Sequence, residues 1–247
     1  MALGRKLVAS GAAQVGGSFT DVPEADALVK SSPNAFLLGV LFTQGIPAER
    51  AWAGPWELSR RLGHLDLERL ACEREAVEEA FARRPCLHRF KRTLPRWVSA
   101  AAAKVLAEYG GDASAIWAEG STVVEVTQRL ASFPGIGRKK AAMAVGILMR
   151  HFGVPLDGVE HGRVAYDVHV RRVFLRTGLA AADTPEAIEG AAAEAYPEAP
   201  ATLDLAAWLV GRDWCRPSAP DCDACPLGGE CPRRVWVKVE GVGARRR

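Results

Sequence analysis

The chain has 247 residues, 49% hydrophobic and 25% charged, with 32 Lys and Arg against 29 Asp and Glu for a net charge of +3. That balance fits one large or two small domains of an ordinary soluble globular protein and leaves no low-complexity linker. No run of about 18 apolar residues occurs and "MALGRKLVASGAAQVGG" lacks the unbroken apolar core of a signal peptide, so neither a membrane span nor export is supported. A cytoplasmic setting is expected, nucleoid-associated if the source is bacterial.

The elements read as helical from one end to the other. Residues before 20 and after 234 are expected to be loose tails or surface-docked ends. "SSPNAFLLGVLFTQG" supplies Ser32 as N-cap and Pro33 as first helical residue of a stretch apolar on nearly every face. "PAERAWAGPWELSRRLG" continues with helical material interrupted at Gly54 and Pro55. From Arg83 to Arg96 the chain carries Arg83, Arg84, Arg89, Lys91, Arg92 and Arg96 with no acid, and it ends in Arg245, Arg246 and Arg247; such clusters suit phosphate contacts or a solvated surface. "RWVSAAAAKVLAEYGG" is a helix closing on Gly110 and Gly111, and "STVVEVTQRLAS" offers Ser121 or Thr122 as a cap with Glu125 near capping-box distance. After the hairpin sequence "FPGIGRKKAAMAVG", Asp167 caps a helix running to Gly178, and two more helices split around Pro197 and Pro200. Strand-like alternation is scarce, so the fold class is all-α.

Two clusters carry chemistry. Cys215, Cys222, Cys225 and Cys231 have the spacing C-x6-C-x2-C-x5-C, a cage for a soft metal centre. Structural zinc favours two short knuckles, and only one close pair is present, so a [4Fe-4S] cluster fits better than a zinc staple, which stays as the alternative. Cys72 and Cys86 stand apart as core or surface thiols. In the hairpin, Pro134, Gly135, Ile136 and Gly137 permit a tight turn, and Arg138, Lys139 and Lys140 follow at the helix end where the macrodipole is already positive. A phosphate diester held by the turn amides would compensate those cations. A lysine there, among cations and against a buried helix, is expected to have a depressed pKa, which makes Lys139 or Lys140 a candidate Schiff-base former or a phosphate contact. Asp167 reads as a helix cap and, if it faces a ligand, as a carboxylate able to stabilise positive charge or shuttle a proton.

In chain order these pieces resemble the helix-hairpin-helix base-excision DNA glycosylases, endonuclease III above all, over residues 30 to 232. "FPGIGRKKAA" stands for that family's L-P-G-V-G-R-K-T-A hairpin, "YDVHVRRV" for its V-D-T-H-x-x-R-V segment, and the cysteine spacing for its cluster loop. The resemblance implies two helical lobes with a DNA-binding cleft between them: residues 30–165, holding the helix-hairpin-helix at about 121–152, and residues 1–29 with 166–247, holding the cluster at 215–231. It implies Lys139 as the amine that attacks C1′ of a damaged nucleoside, with Lys140 standing where threonine is usual. It further implies Asp167 as the aspartate, and Gln44 in "VLFTQGI" as the residue that fills the gap left by an extruded base. Pro134, Gly135, Ile136, Gly137, Arg138 and Lys140 would contact DNA. The expected partner is duplex DNA with a damaged or mispaired base, bound by a monomer. An insertion, "HFGVPLDGVEHGRVAY", separates the hairpin lysine from Asp167. The alternatives are a monofunctional glycosylase for mispaired uracil, thymine or adenine, a non-catalytic DNA-binding iron-sulfur protein, and an electron carrier.

Overall fold

The structure, a computed structural model, describes residues 2–12 and 17–239; Arg245, Arg246 and Arg247 lie outside the described residues. Among the described residues there are α-helices and short 3-10 turns and no strand; one parallel bridge pairs Thr122 with Asp157. They form two compact units, one of Gly17–Ser121 with Glu125–Ala141 and the other of Met1–Gly16, Thr122–Val124 and Ala142–Arg247.

The first unit is organised around the helix Pro33–Phe42. Ser32 accepts a hydrogen bond from the Ala35 amide at 3.2 Å and Pro33 fills the first turn, as the sequence predicts. Every side chain from Ala35 to Phe42 is buried. Phe36 stacks on Trp52 with ring centroids 5.6 Å apart and meets Trp117 edge-on at 5.7 Å. The long helix Thr93–Tyr109 packs against Leu67–Cys72 and ends at Gly110 in the left-handed region. The helical stretch is interrupted where the sequence predicts: Ala48–Trp52 ends and a separate helix, Gly54–Leu62, begins with Pro55 in its first turn. A side chain at Gly54 would enter the Phe42 ring, so that glycine is there for close packing.

In the second unit Leu7, Val173, Phe174, Ile188, Leu203, Val210 and Leu227 share one core. Of the two expectations for the N-terminal end, the docked one holds: Ala2–Ala12 is a helix that packs on Leu203–Asp213, with Leu7 fully buried. Burying one leucine in this way is worth about 1.5–3 kcal/mol, enough to dock a short helix. The helix Val168–Thr177 packs on the same Leu203–Asp213 helix. Its start at Asp167, whose side chain accepts from the His169 amide at 2.9 Å, and its end at Gly178, φ 75°, are those the sequence predicts. Thr184 caps Pro185–Ala195, and the break before Leu203 falls at the two prolines. The inserted residues form a short 3-10 turn, Val159–His161, that packs on Pro200–Thr202.

Candidate nucleic-acid interface and cysteine pocket

The hairpin turn, with the residues Glu125–Ala141 around it, belongs to the first unit. Val123–Ala131 is followed by Ser132 and Phe133, and the Ile136 amide donates to the Phe133 carbonyl at 3.0 Å to close the turn. Gly135 has φ 84°, and a Cβ there would strike the Trp97 indole, so both conformation and space require glycine. Gly137 is different: a Cβ would meet nothing within 4 Å among the described residues, and its carbonyl accepts from the Ala141 amide at 3.0 Å, which makes it the N-cap of Arg138–His151. Phe133 and Ile136 anchor the turn in the core, with Phe133 stacked on Tyr109 at 5.9 Å. Pro134, Gly137, Arg138 and Lys139 are exposed. The result is a rigid turn whose buried side chains fix its inner face while the first-turn N–H groups, which have no intrahelical acceptor, open the next helix.

The two adjacent lysines diverge. Lys139 lies at the surface, whereas Lys140 is only 9% exposed and donates from Nζ to the Leu41 carbonyl at 2.7 Å. Its ammonium also sits 5.9 Å from the Trp97 ring centroid. Burial, helped by the charge of Lys139, pushes Lys140 down to about 8. The depressed amine expected near the hairpin is therefore Lys140, and its donor faces the unit's interior, not its surface. Gln44 is half-buried in the turn after Phe42, its amide donating to the Phe42 carbonyl at 2.7 Å. Beside it Arg89 donates to the Gly45 carbonyl at 3.2 Å. Arg83, Arg84, Arg89, Lys91, Arg92 and Arg96 are all exposed, a concentration of positive charge on the unit that carries the hairpin.

Asp167 belongs to the second unit, and it is 9% exposed. The chain entering it is pinned by Asp204, whose carboxylate accepts from the Ala165 amide at 2.6 Å. Beyond it, Arg171 makes a paired contact to Asp183 at 2.7 and 2.6 Å and stacks its guanidinium 4.5 Å over Tyr166. Asp183 is held below the usual carboxylate range chiefly by that arginine.

Cys215, Cys222, Cys225 and Cys231 line one pocket with Arg176, Leu227 and Trp214. Two arginines from the helix Val168–Thr177 fix that loop. Arg172, 1% exposed, donates to the Cys215 carbonyl at 2.5 Å and to the Gly211 carbonyl at 2.7 Å. Arg176, 2% exposed, donates to Val237, Arg216 and Pro217 carbonyls at 3.0, 2.7 and 3.0 Å, and its guanidinium is 3.8 Å from the Cys215 sulfur. Burial pushes the Cys225 and Cys231 thiols up, the neighbouring cysteines add to the rise, and backbone amides oppose it. Four thiolates in one pocket disfavour one another, and a cationic centre among them removes that penalty, so the donor set fits an iron-sulfur cluster. Among the described residues no group of three or more His, Cys, Asp or Glu side chains is already arranged to hold a metal ion. Arg172 and Arg176 were not singled out from the sequence; their i, i+4 spacing on one helix face was the available signal.

No family model matches the chain. The endonuclease III of Rickettsia conorii is 38% identical over 104 residues, which is 41% of this chain and 44% of that protein. That of Rickettsia felis is 35% identical over 113 residues, and that of Thermotoga maritima 30% over 115, each covering 45% of this chain and 48% of the relative. The chain thus spans a little under half the length of the relatives it matches. Among solved structures, a trapped covalent intermediate of endonuclease III with DNA superposes with a TM-score of 0.65 at 20% identity, covering 93% of this chain and 94% of that one. A thermostable thymine-DNA glycosylase gives 0.64 at 13% identity over 96% and 98%. The fold is that of the helix-hairpin-helix DNA glycosylases. Within that fold, the sequence is similar to endonuclease III.

Proposed function

We propose that this chain is a base-excision DNA glycosylase with an associated abasic-site lyase activity, acting on damaged bases, oxidised pyrimidines first, in duplex DNA. The observation that carries the reading is the turn Phe133–Gly137 followed by a surface lysine at the start of a helix. Turn amides and the exposed arginines would grip phosphates, and the altered nucleotide would be extruded from the stack with Gln44 filling its place. The Lys139 amine would attack C1′, forming an N–C1′ bond as the glycosidic bond breaks and its electron pair leaves on the base. Loss of a proton from the nitrogen and opening of the sugar give an imine; loss of a C2′ proton then expels the 3′ phosphate. Asp167 would stabilise the positive charge that develops on the sugar and assist the proton transfers. Endonuclease III, to which the sequence is similar, has been trapped in a covalent intermediate with DNA, and this supports the lysine route.

Cys215, Cys222, Cys225 and Cys231 would hold a [4Fe-4S] cluster, with Arg172 and Arg176 fixing the loop around it. Such a cluster supplies a covalent crosslink of the loop and a redox-capable centre.

The test is single-turnover base release and strand scission on duplexes carrying thymine glycol, 5-hydroxycytosine, mispaired uracil or mispaired thymine. Release with scission under neutral conditions supports the reading. Release that yields breaks only after alkali identifies a monofunctional glycosylase, and binding without release identifies a non-catalytic DNA-binding protein.

A further inference from the structure

Burying a lysine is costly, and Lys140 is buried without a carboxylate among the groups that shift it. What it meets instead is the end of a helix. The Leu41 carbonyl belongs to the last turn of Pro33–Phe42, where acceptors have no intrahelical donor and the macrodipole is negative, and Lys140 donates to it at 2.7 Å. The next carbonyl, Phe42, is taken from two sides. His88 Nδ1 accepts from the Phe90 amide at 3.0 Å, so its Nε2 carries the proton and donates to Phe42 at 3.2 Å; the Gln44 amide donates to the same oxygen at 2.7 Å. Trp97 completes the arrangement, with one part of its indole against Gly135 in the hairpin turn and its ring 5.9 Å from the Lys140 ammonium. The hairpin, the start of its second helix, Trp97 and the Gln44 turn are therefore joined through one buried side chain, all within a single unit.

We propose that Lys140 is a positioning residue, a strut that ties the helix turn bearing Lys139 to the C-terminus of Pro33–Phe42 and so holds the Gln44 turn in fixed relation to the hairpin. A threonine at this position is too short to span the gap. Lys140 touches neither sugar nor base; it acts through the segments on either side of it. The functional part rests on the glycosylase reading, in which Lys139 attacks and Gln44 fills the gap; the mechanical part does not.

Two readouts test it on the full-length protein. Hydrogen exchange of the Thr43, Gln44, Gly45 and Ile46 amides is measured in wild type, Lys140→Met and Lys140→Thr, the second variant covering a failure of the first to fold. Exchange there is expected to rise about tenfold or more while the core of Leu203–Asp213 is unchanged. Unchanged exchange at 43–46 in a folded variant overturns the strut. Single-turnover base release is then compared for Lys140→Met, Gln44→Ala and the double variant. Each single change is expected to slow release about tenfold, with the double variant no slower than the worse single one, because both remove one arrangement. Losses that multiply, or release at the wild-type rate in Lys140→Met, overturn the functional part. A wild type that releases no base from any duplex refutes the glycosylase reading and leaves the exchange result to decide the strut alone.

Discussion

The hairpin and the cysteine pocket solve opposite problems. In the hairpin, side chains are removed: Gly135 lets the backbone turn beside Trp97, and Gly137 leaves open space in front of the next helix. What the turn offers is backbone amides and the surface amine of Lys139. In the pocket the backbone is irregular and side chains impose the order, since Arg172 and Arg176 bond to carbonyls from four separate residues of the loop and its flanks besides the Gly211 carbonyl. A site made of backbone is fragile to any added atom. A site held by long charged side chains is fragile to their loss.

That contrast yields ordered expectations. The largest stability effect falls on Arg176→Met, which removes three hydrogen bonds from a buried guanidinium to part-buried carbonyls; hydrogen bonds from a charged donor contribute about 1.5–3 kcal/mol each, so urea unfolding should show a loss on the order of 3–5 kcal/mol. Iron content should fall with it while hairpin variants leave iron content unchanged. A destabilisation under about 1 kcal/mol would mean that the loop holds itself.

A somewhat smaller stability change is expected with pH. Lys140 is pushed from the ordinary 10.5 down to about 8, so across that window the unfolded chain retains a proton that the folded chain has released. Rising pH therefore favours folding through the window, and the penalty is fully present below it. The increment is on the order of 2–3 kcal/mol, and Lys140→Met should lack it when the two proteins are unfolded in urea at about pH 7.5 and about pH 10. Parallel curves for the two proteins would contradict a buried, charged Lys140.

Gly135→Ala comes next: the positive φ and the Trp97 contact should cost about 1–3 kcal/mol and weaken duplex binding, whereas Gly137→Ala, with open space for its methyl group, should change stability far less. Equal effects at the two glycines would break the account of the turn. The smallest is Asp167→Ala, which removes a helix cap worth about 1 kcal/mol, read as a lower melting temperature. Asp167→Asn keeps the cap and should melt near wild type, which separates the structural part of this residue from any part it plays in catalysis.

Much of this was legible in the sequence because it is local. Ser32 with Pro33, Asp167 with Gly178, and Gly110 are caps whose partners lie within a turn or two, and each stands where the sequence predicts. The four cysteines announce their pocket by spacing alone. What was not legible depends on distant partners. Lys140 reads as one of three surface cations until Leu41, 99 residues earlier, takes its proton donor inward. Arg172 reaches a carbonyl 43 residues away and Arg176 one 61 residues away, distances over which no periodicity speaks. Gly54 with Pro55 marks the break between two helices as the sequence predicts, but the Phe42 ring for which the glycine makes room is not readable there. The helix Ala2–Ala12 shows the same limit, since its stability comes from docking Leu7 into a core assembled from the other end of the chain.

Borohydride reduction on a duplex with an abasic site tests whether Lys139 is the nucleophile, as proposed. Wild type should give a covalent protein–DNA adduct, and Lys139→Ala should give none while still binding the duplex. An adduct of equal yield from Lys139→Ala, or none from a wild type that releases base, would assign the nucleophile to another group or none.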